Sequence, residues 1–272
     1  MRASFGKLAI VLLLAGALPA GNAVAAETIR TGGTGTAIGM LQQVGAKFAA
    51  AEGGEIKVVP GLGSGGALRA LADGWIDMAV SARPLNAEET AKGLRQVAVL
   101  RTAFVLATSH RNPDALKTSE LPAIFAAASA NWTDGTLIRI ILRPRSETDS
   151  ALLGELFAGM NAAIEKARRR VEVPIAPTDQ DNVKLAERTP GSLAGTTMTQ
   201  LKTEQVNLQI VPLNGREPTL ANVESGAYPF VKHLYIVLRR NGPAPAQRFI
   251  DFLRSPQGQT ALRETEILPS AE

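Results

Sequence analysis

The amino-acid sequence predicts an α/β fold with a mostly parallel sheet, on the strength of three observations. Short apolar strands alternate with helices over residues 28–81. The first two helices are each entered through a glycine-rich turn. A nearly continuous apolar run at residues 97–108 suits a central strand buried on both faces. Alternation of this kind places helices against parallel strands.

The first unit is a short strand at residues 28–30, a glycine turn and a helix over residues 37–51. The helix carries apolar side chains at helical spacing, as expected for one face packed on a sheet: Ile38, Leu41, Val44 and Phe48. A strand at residues 55–59 follows it.

The stretch over residues 58–85 repeats this pattern and points to an anion. Its turn contains four glycines, which allow the backbone to turn sharply and bring amides close to a bound group: Gly61, Gly63, Gly65 and Gly66. We expect Ser64 to cap the next helix, whose free N–H groups would attract a negative charge. The following strand should deliver Ser81 and Arg83 to the same edge of the sheet. The pattern therefore predicts half of a small-anion site.

The rest of the chain continues the alternation. Turn chemistry at residues 110–114 marks a plausible crossing into a second domain. Further helices are predicted at residues 86–94, 120–127, 151–169, 179–187 and 218–224, and as a pair flanking Ser255 and Pro256. Further strands are predicted at residues 137–142, 171–175, 190–195, 208–211 and 228–238.

Residues 1–26 read as a cleaved secretory signal peptide. Arg2 and Lys7 precede an apolar run at residues 8–18, and small residues at 23–26 suit cleavage. The chain has no cysteine, so a lipid-modified cysteine is excluded at that position, as are disulfides and thiol nucleophiles. We therefore expect a free periplasmic protein that is not a lipoprotein.

Composition argues against several other classes of protein. A formal net charge of +4 with scattered basic residues does not suggest a nucleic-acid partner. With two histidines and no cysteine, a metal site is not expected, and neither is a cofactor. We considered a dinucleotide site on the glycines of residues 61–66, but the next strand ends in Ser81, Ala82 and Arg83 rather than in an acidic residue. A serine hydrolase is disfavoured because Leu62 stands where a nucleophile elbow needs glycine.

In order along the chain, several motifs resemble the periplasmic phosphate-binding proteins of ABC importers, within the type II solute-binding superfamily. The motifs are the glycine turns at residues 33–36 and 61–66, the segments 76–79 and 81–85, Ile124–Phe125 with Asn131–Trp132, the segment 143–150, and residues 189–192 and 228–229.

The resemblance implies a two-lobed type II periplasmic binding protein fold with a two-stranded hinge. Lobe 1 would comprise residues 27–108 and 228–272, and lobe 2 residues 109–227. The ligand would lie between the lobes, which would close over it by hinge bending.

The resemblance also implies a set of ligand-binding residues. Thr36 and Ala37 match one helix start of the family and Ser64 the second, while Arg143 matches the family arginine. Ser146, Glu147 and Thr148 fall on a segment that is normally Ser-Gly-Thr. The expected ligand-binding residues are Thr34, Gly35, Thr36, Ala37, Ser64, Gly65, Ser81, Arg83, Arg143, Arg145, Ser146, Thr148 and Asp149.

Two departures from the family pattern concern acidic groups. Ala82 falls where many members carry the aspartate that accepts a proton from phosphate. Glu147 and Asp149 add carboxylates that must be paired, turned away, or used as that acceptor, because an unpaired carboxylate beside an anion is costly. We hypothesise that one of them replaces the missing acceptor, while Arg83, Arg143 and Arg145 leave positive charge for the ligand.

The function expected from this resemblance is capture of a small oxyanion, with phosphate the first candidate, for an inner-membrane ABC permease. The protein would act as a monomer and would not be an enzyme. One alternative is a sensory protein that presents its ligand to a membrane receptor. Another is a binder of a different oxyanion or a small organic acid.

Overall fold

The computed structural model describes residues 27–270, so the predicted signal peptide lies outside the described residues. The described residues form nine strands: β1 (Thr28–Gly33), β2 (Glu55–Val59), β3 (Met78–Ser81), β4 (Leu94–Thr108), β5 (Arg139–Ile140), β6 (Ser192–Thr197), β7 (Gln209–Ile210), β8 (Val231–Arg239) and β9 (Leu268–Pro269).

The helices of the same region alternate with these strands. They are α1 (Ile38–Glu52), α2 (Gly63–Ala72), α3 (Ala87–Ala91), α4 (Leu121–Ala126), α5 (Thr148–Leu156), α6 (Met160–Ala167), α7 (Asp179–Arg188), α8 (Met198–Thr203), α9 (Leu220–Glu224), α10 (Ala244–Arg254) and α11 (Pro256–Glu264). A 3-10 turn at Gly35–Ala37 leads into α1.

The strands join in the order β2-β1-β3-β8-β4-β6-β5, with β7 and β9 both paired to β4. The first three strands are parallel, as the alternation predicted, and β5 also runs parallel to β6. Strand β8 enters antiparallel between β3 and β4. The predicted α/β class is confirmed, but the expectation of a mostly parallel sheet was wrong, because β4 pairs antiparallel with β6, β7, β8 and β9, and β8 pairs antiparallel with β3.

Strand β4 belongs to two halves of the sheet. It pairs with β8 from Leu94 to Ala103 and with β6 from Phe104 to Ala107. Beside this crossing, the Phe104 amide donates to the Phe230 carbonyl oxygen at 2.9 Å, so a second segment crosses next to β4. This arrangement is the two-stranded connection expected of the two-lobed fold.

The buried side chains separate into cores on either side of this crossing. Helices α1, α10 and α11 pack with β1, β3 and β8 in one lobe, hereafter lobe 1, while α4–α7 pack with β6 in the other, lobe 2. The boundary predicted at residue 108 stays a prediction. Because Phe104–Ala107 pack in the core of lobe 2, we propose that the division lies nearer Ala103.

Two expectations about single elements were wrong. The helix predicted at residues 151–169 is two helices, separated around Gly159, whose φ of +86° suits glycine rather than a helix interior. Residues 171–175 do not form a strand; Val171 is fully exposed, and only Ile175 makes a bridge, to Leu142.

The glycine turn before α2 also differs from expectation. Gly61 and Gly63 have positive φ values of +76° and +61° and do make the turn. Gly65 lies inside the helix, and Ser64 is not the N-cap of α2, since that position falls on Leu62.

No helix within residues 27–270 is long and apolar enough to cross a membrane.

Candidate functional site

The turn that begins α1 faces lobe 2 at the junction between the lobes. The Thr34 amide donates to the Val80 carbonyl oxygen at 2.9 Å, which fixes the turn against the end of β3. Thr34 and Thr36 are both buried. Their side chains and the Thr36 amide point toward Asp179, the first residue of α7.

The Asp179 carboxylate fills the position in front of this turn. Its Oδ2 accepts a hydrogen bond from the Thr36 amide at 2.8 Å and lies 3.4 Å from the hydroxyls of Thr34 and Thr36. Its Oδ1 accepts from Arg143 Nη2 at 2.9 Å. Charge-assisted bonds of this kind are stronger than bonds between neutral groups. One carboxylate from lobe 2 thus engages the predicted anion donors of lobe 1 together with the predicted arginine.

Arg143 is buried and held by several acceptors. It donates to the Ala176 carbonyl oxygen, to Asp179 and, at 3.1 Å from Nη2, to Glu147 Oε2. Arg143 lies between the end of β5 and the start of α5, as the predicted strand and helix on either side of it indicated. Its guanidinium therefore already faces two carboxylates.

A second ion pair lies behind the same turn. Lys232, fully buried on β8, donates to the Asp149 carboxylate and to Thr36 Oγ1, the latter at 3.0 Å. Asp149, in the first turn of α5, is itself buried. Thr36 thus lies between the Lys232 ammonium and the Asp179 carboxylate.

We name Arg143, Asp149, Asp179 and Lys232 the buried charge cluster. Two positive and two negative side chains balance when all four are ionised. Glu147, half-buried at the edge, adds one further negative charge. The cluster therefore has no surplus positive charge.

The pKa values of the cluster follow from burial and from these pairs. Burial alone would raise the pKa of the Asp179 carboxyl, but the charges of Lys232 and Arg143 and the Thr36 amide hold it below its ordinary value. Burial would lower the pKa of Lys232, but Asp149 and Asp179 raise it above its ordinary value. Burial raises the pKa of Glu147, and Arg143 opposes part of that rise. Asp179 and Lys232 are thus held in their charged forms, whereas burial raises the pKa of Asp149 above its ordinary value although Lys232 opposes that rise.

Two cavities flank the cluster at the junction of the lobes. A small one of about 100 Å³ is lined by Gly35, Gly63, Arg143 and Asp179, among others. A larger one of about 400 Å³ lies on the other side, against Lys232 and the start of α5. The larger cavity includes several predicted residues: Arg83, Arg145, Ser146 and Thr148.

The hydroxyls of Ser64 and Ser81 make local hydrogen bonds. Ser64 Oγ accepts from the Ala82 amide at 2.9 Å, and Ser81 Oγ donates to the Arg83 carbonyl oxygen at 2.7 Å. Arg83 itself forms two hydrogen bonds with the Glu89 carboxylate, at 2.7 and 2.9 Å. These residues shape the turn after β3 and do not join the buried charge cluster.

The segment after Arg143 is divided between the cleft and the surface. Arg145 is exposed and pairs with Glu165, and Ser146 is exposed beside it. Thr148 begins α5. Arg83 and Arg145 each have an acidic partner, which weighs against the expectation that the arginines leave positive charge for a ligand, and that expectation stays a prediction.

Asp179 and Lys232 are the two members of the cluster that the sequence analysis did not propose. The signal for Lys232 was a single lysine inside the apolar strand at residues 228–238, because lysine is rarely buried without a partner. The sequence signal for Asp179 was weaker, because the helix dipole alone is enough to favour an acidic residue at a predicted helix start. Only the folded arrangement shows that it reaches Thr36.

The Asp179 carboxylate is expected to make the fold sensitive to acid. Its pKa lies below the ordinary value of 3.8, so the stability that it contributes is fully present above that value and is lost as the pH falls through the folded-state pKa. The difference in unfolding free energy between wild type and Asp179→Asn, measured with urea between about pH 6 and about pH 2.5, should be largest near pH 6. A difference that grew on acidification would contradict this assignment.

Comparison with known proteins gives the chain its family. A family model described as "PBP superfamily domain" matches residues 19–257, while no curated protein matches the chain. A solved chain from Clostridium perfringens with bound phosphate is 18% identical, with a TM-score of 0.74 over 90% of this chain and 100% of that one. The phosphate-binding protein from Stenotrophomonas maltophilia is 15% identical, with a TM-score of 0.65 over 90% and 91%.

An ABC-type phosphate transport receptor from Vibrio cholerae is also similar, at 15% identity and a TM-score of 0.61 over 88% of this chain and 99% of that one. At such identities these likenesses establish the fold, which is the predicted type II periplasmic binding protein fold. Since the family model spans most of the sequence, the chain belongs to the PBP superfamily.

Proposed function

We propose that the protein is a periplasmic solute-binding protein that captures a small oxyanion, with phosphate as first candidate, for an inner-membrane ABC permease. The observation that carries the proposal is the donor set between the lobes. The Thr36 amide, two threonine hydroxyls and the Arg143 guanidinium converge on one pair of carboxylate oxygens.

This donor set has the chemistry that an oxyanion needs. Amides at a helix start carry partial positive charge, and a guanidinium offers two parallel N–H groups to a planar or tetrahedral anion. The position between two lobes suits a site that closes over its ligand and excludes water. Binding would involve no covalent step, so the protein is proposed to act without catalysis. It is also proposed to act as a monomer.

A small organic acid is the second candidate ligand. The supporting observation is that the group now held by these donors is itself a carboxylate, contributed by Asp179. The balanced charge of the cluster also disfavours a dianion more than a monoanion, because each further negative charge must be compensated in a site of low dielectric.

A thermal-shift measurement tests the proposal. The exported protein is melted with phosphate, sulfate, acetate and chloride at matched ionic strength, up to about 50 mM, where even a weak ligand gives a shift that follows RT ln(1 + [L]/Kd). We expect phosphate or acetate, but not chloride, to raise the melting temperature in a dose-dependent way. Absence of any shift in the wild type and in Asp179→Ala would contradict the proposed function.

A further inference from the structure

We propose that the Asp179 carboxylate is a built-in competitor for the oxyanion site, so that a ligand binds only by displacing it. The inference rests on the proposed function and adds a residue that sets affinity and specificity. Asp179 takes the place of a ligand on the donors of lobe 1 while belonging to lobe 2.

The packing leaves no room for Asp179 and an oxyanion in front of the turn together. A Cβ placed on Gly35 would lie 2.7 Å from both the Cβ and the Oδ2 of Asp179, which shows how closely this side chain approaches the turn. The Thr36 amide has one proton, and it already points at Asp179 Oδ2. A phosphate oxygen could take that bond only after the carboxylate has moved.

The charges lead to the same conclusion. Arg143 and Lys232 are matched by Asp149 and Asp179, so an added anion would meet a cluster without surplus positive charge. Two anionic groups that share one set of donors cannot both stay ionised without a large cost. Removing the Asp179 carboxylate would leave the four-residue cluster with one net positive charge, which faces only the half-buried Glu147 at its edge.

Helix α7 does not need this carboxylate to begin. Thr178 is its N-cap, and the Thr178 hydroxyl accepts from the Asp181 amide at 3.0 Å. Asp181 supplies a second acidic group in the same first turn. Helix α7 therefore does not require the Asp179 side chain, which instead accepts hydrogen bonds from the Thr36 amide of lobe 1 and from Arg143.

Calorimetric titration with inorganic phosphate tests the inference on wild type, Asp179→Ala and Asp179→Asn. Asp181→Asn is the matched control, because it removes the same charge two residues away from an exposed position that does not face Thr36. We expect both Asp179 variants to bind phosphate at least about tenfold more tightly than wild type, and Asp181→Asn to bind as wild type does.

Failure of the inference and failure of the proposed function would give different results in this titration. Equal binding by the folded Asp179 variants would show that the carboxylate does not compete with the ligand, and weaker binding would show that it assists the ligand. Either result would overturn the inference while leaving the proposed function intact. Absence of phosphate and acetate binding in wild type and in both folded variants would instead contradict the proposed function.

A measurement on the wild type covers the case in which the variants do not fold. The Thr36 amide resonance is followed by NMR during a phosphate titration. We expect it to move only at millimolar phosphate, when the Asp179 carboxylate is displaced. Saturation below about 0.1 mM, equivalent to a binding free energy beyond about −5.5 kcal/mol, would overturn the inference.

Discussion

Replacement of Lys232 by methionine is expected to lower the free energy of unfolding by about 3–5 kcal/mol. The Lys232 side chain is buried, and its ammonium group donates to Asp149 and to Thr36 Oγ1. Methionine fills nearly the same volume, so the loss comes from the charge and not from a cavity. Without Lys232, the buried Asp149 carboxylate must either stay ionised without its partner or take up a proton.

Urea denaturation at neutral pH measures this loss, and two further variants identify its cause. Lys202→Met removes the same charge from an exposed position on α8 and should change stability by less than about 0.5 kcal/mol. The double variant Lys232→Met/Asp149→Asn should be more stable than Lys232→Met alone, because no uncompensated carboxylate remains. A double variant as unstable as Lys232→Met would mean that Lys232 acts by packing and not through its ion pair.

The sequence predicted those parts of the fold that depend on local pattern. The parallel strands β1–β3 follow from alternation at short range, and β4 from an apolar run that suits a strand buried on both faces. Arg143 was identified through its match to the family arginine, which the resemblance implies. The conclusions about the strands need only a window of residues and elementary stereochemistry.

The charge balance of the site could not be predicted in this way, because it depends on pairs that are distant in sequence. Asp149 meets Lys232 across 83 residues, and Thr36 meets Asp179 across 143. Counting arginines near the predicted site overlooked the acids that neutralise them. The hypothesis that Asp149 replaces the missing acceptor stays a prediction, although its pairing with Lys232 weighs against it.

Two glycines illustrate the same difference between what a local sequence pattern predicts and what only the contacts in the fold show. Gly33 and Gly65 both occur in glycine-rich turns and are indistinguishable by sequence alone. In the fold, Gly33 ends β1, where a Cβ would overlap the Val80 carbonyl oxygen and lie 2.8 Å from its carbon. Gly65 lies within α2, and the nearest atom to an added Cβ is Arg69 Nη1 at 3.5 Å.

The same substitution is therefore expected to have opposite effects at these two positions. Gly33→Ala should cost about 3 kcal/mol, the upper end of the usual range for overpacking, because the obstacle is backbone and cannot rotate away. Gly65→Ala should raise stability by about 0.5–1 kcal/mol, since alanine is the better residue in a helix interior. Urea denaturation of both variants measures the contrast.

Gly33→Ala should also disturb anion binding. The Val80 carbonyl that the new methyl group would strike is the group that accepts from the Thr34 amide, so separation of β1 from β3 would move the turn carrying Thr34 and Thr36. We expect the melting temperature of Gly33→Ala to be unchanged by oxyanions, although the variant still folds at lower temperature. Gly65→Ala should keep the shift. Loss of the shift in both variants would mean that the methyl group added at Gly65 obstructs the ligand, and retention in both would mean that the β1–β3 junction does not position the turn.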